Sequence, residues 1–181
     1  MRQITALLVA AMLGCLGASA NAANLHIYSY DPADPETRAA AGALTFEFNR
    51  RLVFTTVLRV LATEADAKAE VIPANERVLG PGGLTPLIGP HAIERDLYEI
   101  EPKEEGAAMI AALCPSSHRA WLAFGRLKVN HDLRIFVLGD NPATGSAKLC
   151  RTLAYSFHGE WAVPSDQKID PGIVEPPQFP R

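Results

Sequence analysis

Three groups of residues in this 181-residue chain have types and spacings that could do chemistry. His91, Glu94 and Asp96 stand close together, so an imidazole could serve as a base with a carboxylate to orient it, and Arg95 adds a cation among them. His158 and Glu160 are two residues apart, which on a strand places both side chains on one side, and with His131 they could form part of a metal site. Cys114 and Cys150 could form a disulfide or, less simply, act as redox thiols.

Each catalytic reading lacks its complement. Ser116, Ser117 and Ser156 are available as nucleophiles, but none sits in a Gly-x-Ser-x-Gly turn. Two metal ligands on one strand are also what an ordinary solvated pair looks like. Met109 is the only methionine outside the N-terminal region, so the Met-rich signature of copper carriers is missing. The Gly80 to His91 segment is rich in glycine, yet it has no Gly-Lys-Ser/Thr, and Pro81, Pro86 and Pro90 remove backbone donors. No cofactor is expected. That segment fits better as a binding loop, with Leu84, Leu87 and Ile88 either offered to a partner or plugging one edge of the core.

The N-terminus bears on the cysteines. Met1-Arg2-Gln3, an apolar run from Ile4 to Leu16 and the small-residue sites Ala18-Ser19-Ala20 and Ala20-Asn21-Ala22 read as a cleavable export signal over 1–22. Cys15 falls within it, leaving Cys114 and Cys150 as an even pair sent to an oxidising compartment. A structural bridge between them is therefore expected, since no Cys-x-x-Cys dithiol is present. The expected location is the periplasm or the exterior; Leu13-Gly14-Cys15 offers lipid anchoring through Cys15 as the alternative. The formal charge of the whole chain is −3, with acidic and basic residues well mixed, which argues against nucleic acid and anionic membrane as partners. No second apolar stretch reaches membrane-spanning length.

The elements that must position these residues can be read from periodicity. Leu25 to Tyr30 reads as a strand. Asp34, Pro35 and Glu36 followed by Gly42 favour a short helix over 35–41, a turn being the alternative. Leu44, Phe46 and Phe48 alternate, the β-branched run Val53 to Leu61 follows, and Ala67 to Ile72 alternates again. Leu79 to His91 reads as an irregular loop and Leu97 to Ile100 as a brief strand. The main helix is expected over about 102–114, ended by Pro115. Ala120 to Phe124, Leu133 to Leu138 and Ala147 to Trp161 read as strands, the last broken near Ser156. Together these predict an α+β fold: a mostly antiparallel sheet with the main helix packed on one face, in a single domain over 23–163, followed by a Pro-rich extended tail over 164–181.

The function this supports is a non-catalytic exported domain that binds an envelope protein or a small ligand. Its contact surface would be the Gly80 to His91 loop with His91, Glu94 and Arg95. The alternative is a small hydrolase or metal-dependent enzyme using His91 or His158 with nearby carboxylates.

Overall fold

The structure, a computed structural model, describes residues 24–51, 54–93 and 95–162. Eight strands run in the order β1 (Asn24–Pro32), β2 (Leu44–Arg51), β3 (Phe54–Ala62), β4 (Ala67–Pro73), β5 (Asp96–Ile100), β6 (Ala120–Phe124), β7 (Leu133–Asn141) and β8 (Ser146–Ala162). Each pairs antiparallel with its sequence neighbours, and β8 returns to β1, so the sheet closes into an up-and-down barrel. This corrects the α+β expectation. The alternation was read properly, but an apolar face packed by a helix and an apolar face turned into a barrel have the same period of two.

Closure is carried by β8, which is continuous through Ser156 rather than broken there. Its first part pairs with β7 from Ser146 to Tyr155, and its second pairs with β1 from Tyr155 to Ala162. Register shifts at Ser29/Tyr30, Glu47/Phe48 and Val137/Leu138 mark bulges, which increase local twist and help a sheet curl shut.

The lumen is filled. Tyr28, Tyr30, Phe46, Phe48, Phe124 and Tyr155 are all buried in it, at 1% exposure or less, and their rings meet edge-on or tilted, as in Tyr28 against Phe48 at 4.6 Å. Burial pushes the Tyr30 and Tyr155 hydroxyls well above the usual tyrosine range. One end is sealed by two helices, α1 (Pro35–Ala41) between β1 and β2 and the helix between β5 and β6 (Glu105–Leu113), whose Met109, Ile110 and Leu113 join the lumen core. The main helix is thus a plug rather than a layer, and it starts a few residues later than Pro102. Gly106 permits the tight turn into it, because a Cβ there would run into the Glu101 carbonyl.

The Leu79 to His91 segment is not an irregular loop. It holds a 3₁₀ turn at Glu76–Leu79, the short α2 (Thr85–Ile88) and a second 3₁₀ turn at Gly89–Ala92; the later helix is accordingly α3. Leu79, Leu84 and Ile88 are buried against Leu97, Trp121, Ala123, Phe136 and Leu138 on the outer faces of β5, β6 and β7. The apolar residues of this strap therefore build a second core on the barrel wall.

Cys114 and Cys150 are joined by a disulfide that ties the end of α3 to β8 across a separation of 36 residues. Gly139 on β7 passes directly beneath it, where a Cβ would overlap both sulfurs. Arg151 Nε donates to the Leu113 carbonyl at 3.1 Å, satisfying a free acceptor at the C-terminus of α3 with a cation. The expected signal over 1–22 and tail over 164–181 lie outside the described residues.

Candidate functional site

At the end of the barrel opposite α1 and α3, β6 gives way at Gly125 to a connection that re-enters the wall as β7 at Leu133. Leu127, 3% exposed, drops into the lumen core and anchors this connection. Asn130 takes a left-handed conformation (φ 57°) at its tip, a geometry asparagine tolerates better than most residues. His131 Nδ1 lies 2.8 Å from the Val129 carbonyl, and Asp132 accepts from the Phe157 amide at 3.4 Å. The turn is thus held from both sides while Lys128 and His131 stay exposed.

Beside it opens a cleft of about 880 Å³, lined by Arg95, Arg126, Lys128 and Arg134, with His131 and the carboxylates Asp96 and Asp132. Arg95 is the best fixed of the four cations. Its guanidinium lies 6.0 Å from the centre of the Phe136 ring, and its Nη1 crosses Gly125 so closely that a Cβ there would meet it at 2.5 Å. Its Nε is buried without a hydrogen-bond partner among the described residues. None of Arg95, Arg126, Lys128 and Arg134 forms an ion pair among the described residues. The outer wall differs: Glu47 meets Arg59 at 3.1 Å and Lys68 at 3.8 Å, and Glu99 holds Arg119 in a bidentate pair at 2.7 and 2.9 Å.

The residues singled out by sequence are distributed as follows. Arg95 lines the cleft; His91 lies just outside it, exposed and stacked at 5.6 Å on the same Phe136 ring; Glu94 lies outside the described residues. His131 lines the cleft, while His158 and Glu160 are elsewhere and apart. The bulge opposite Ser29/Tyr30 inserts His158 as an extra residue and breaks the alternation that would have put the two on one side. Glu160 faces inward opposite Tyr28 and meets His26 at 3.1 Å; His158 faces outward, 2.7 Å from Asp31 and stacked near Trp161. Among the described residues no group of three or more His, Cys, Asp or Glu side chains could hold a metal ion.

Two features escaped the sequence reading. Arg126, Lys128 and Arg134 bracket the Asn130-His131-Asp132 turn, and three cations around one turn are visible in the chain, but only tertiary structure adds Arg95 to them. A polar group at the lumen mouth was also missed: Arg50 donates to the Tyr28 hydroxyl at 2.7 Å, beside the His26–Glu160 pair. Burial raises the Tyr28 hydroxyl's pKa, and Arg50 partly offsets that rise.

No protein family, no curated protein and no solved structure matches this chain.

Proposed function

We propose that this protein is an exported, non-catalytic binding domain whose ligand is anionic and is held in the cleft centred on Arg95. The observation that carries this reading is the gathering of Arg95, Arg126, Lys128 and Arg134 around one concavity without ion pairs among the described residues, in a chain whose formal charge is −3. Elsewhere cations are engaged within the fold: Arg119 and Arg59 meet carboxylates, Arg151 the Leu113 carbonyl and Arg50 the Tyr28 hydroxyl. Cations left with free donors around a concave surface focus a positive potential and draw in an oppositely charged group. Three of the four are arginines, whose planar forks suit carboxylate and phosphate oxygens. Export rests on the leader-like residues 1–22 and agrees with the Cys114–Cys150 bridge.

The test is thermal unfolding of the full mature chain with citrate or inorganic phosphate, in wild type and in the double variant Arg95→Gln/Arg134→Gln. Wild type should be stabilised as ligand rises and progressively less so as sodium chloride rises from about 50 to about 300 mM. The double variant should unfold at the same temperature without ligand and gain nothing with it. No stabilisation of wild type, or equal stabilisation of the variant, overturns the reading.

A further inference from the structure

Four cations explain an acidic ligand; they do not explain why two carboxylates, Asp96 and Asp132, line the same cleft without pairing with them. The Asp96 side chain makes no hydrogen bond or ion pair among the described residues, and Asp132 uses one oxygen on the Phe157 amide at 3.4 Å. A carboxylate facing a ligand can only accept, so the ligand must carry donors as well as acid groups. Those donors are not ammonium groups, because among the described residues the field of four cations against two anions repels further positive charge. Neutral hydroxyls meet both demands.

The remaining lining narrows the class. Phe136, outside the cleft, is 4% exposed and already covered by Arg95 and His91, and Tyr155 in the lining, at 1%, offers no accessible ring face. Ala33, Leu133 and Ala154 supply small apolar surface only. Among the described lining residues no phenylalanine, tyrosine or tryptophan face is open to stack a nucleobase or a polycyclic ring, and the flat surfaces offered are the His131 imidazole and the Arg126 and Arg134 guanidiniums. A volume of about 880 Å³ is also near the top of the range for small-molecule sites, larger than a single oxyanion needs.

We infer that the ligand is an acidic carbohydrate, with acid groups met by the four cations and hydroxyls read by Asp96 and Asp132. This rests on the anionic-ligand reading above. The acid group could be a carboxylate or a phosphate, and the two share the arginine chemistry.

Calorimetric titration of the full mature chain tests it with matched probes: digalacturonate against adipate for the carboxylate source, and glucose 6-phosphate against ethyl phosphate for the phosphate source. One sugar acid should bind at least about tenfold more tightly than its hydroxyl-free partner, a difference of about 1.4 kcal/mol. Asp96→Ala, at an exposed position, should reduce that preference, Asp132 keeping the remainder, while leaving the hydroxyl-free anion bound as well or better, since a negative charge has been removed. Equal binding of the two members in both pairs, or a preference undiminished in Asp96→Ala, overturns the carbohydrate assignment but leaves the anionic site standing. Failure of all four probes overturns both.

Discussion

Two parts of this barrel, the helix-sealed end and the cleft beside the β6–β7 connection, treat charge in opposite ways. At the helix-sealed end several polar groups are held by partners within the fold. Asp34 caps α1 through the Thr37 amide at 2.7 Å, the Thr37 hydroxyl accepts from the Ala154 amide at 3.0 Å, and Asp140 takes the His118 and Arg119 amides at 2.7 and 2.8 Å. In the cleft Arg95, Arg126, Lys128 and Arg134 lie together and no described carboxylate pairs with them. The lesson is one of division of labour: groups satisfied within the fold hold it together, and groups left with spare donors are available to something outside it.

That contrast can be broken most forcefully at the disulfide. Cys114→Ser or Cys150→Ser should each destabilise the protein by about 3 to 4 kcal/mol, the chain-entropy value for a loop of this length, and the double variant should be hardly worse. Denaturant unfolding checks this, and ligand binding in the cleft should persist at temperatures where the variant stays folded.

Asp140→Ala should cost about 1 kcal/mol, because two amides at the start of β6 lose their acceptor at a site where water can partly replace it. The pH dependence has a definite sign. Backbone donors hold the Asp140 and Asp34 carboxyls below the usual carboxylate range, in Asp140 despite the opposing effect of burial. A depressed folded-state pKa gives stability that is complete above the unfolded value and lost as pH falls through the folded one. The denaturation midpoint should therefore fall below about pH 4, and Asp140→Asn should flatten that fall. Equal acid sensitivity in wild type and variant would remove Asp140 from the account.

The smallest effect on stability is expected at the cleft. Arg126→Gln and Lys128→Gln should shift unfolding by no more than about 0.5 kcal/mol while weakening anion binding. Gly125→Ala sharpens the comparison further: its Cβ displaces the Arg95 guanidinium without removing any charge. It should weaken binding nearly as much as Arg95→Gln if placement matters, and leave binding intact if the site is only a diffuse positive patch.

Much of the architecture was legible along the chain. The periods of Leu44–Phe48 and Ala67–Val71, the Asp34-Pro35-Glu36 start and the stop at Pro115 put strands and helices close to where they stand. Burial of alternate residues is a local property, and capping depends on neighbours within a turn. The site was less legible. Arg95 was marked for its place beside His91, yet what sets it is Phe136 and Gly125, distant in sequence. The His158–Glu160 pair failed as a unit because a single bulged residue changes which side of the sheet each side chain takes.

By itself, then, the sequence determined the strands, the positions of the two longer helices and the pairing of Cys114 with Cys150, all consequences of local periodicity, turn chemistry and cysteine arithmetic. Only the tertiary structure decided that the sheet closes and that the Leu79–Ile88 strap is spent on a second core. Closure depends on whether β8 reaches β1, which the bulges and strand stagger control and no single strand encodes. The same long-range arrangement brings residue 95 beside residues 126, 128 and 134 without an ion pair among the described residues, because charge pairing is settled by which segments come to lie side by side.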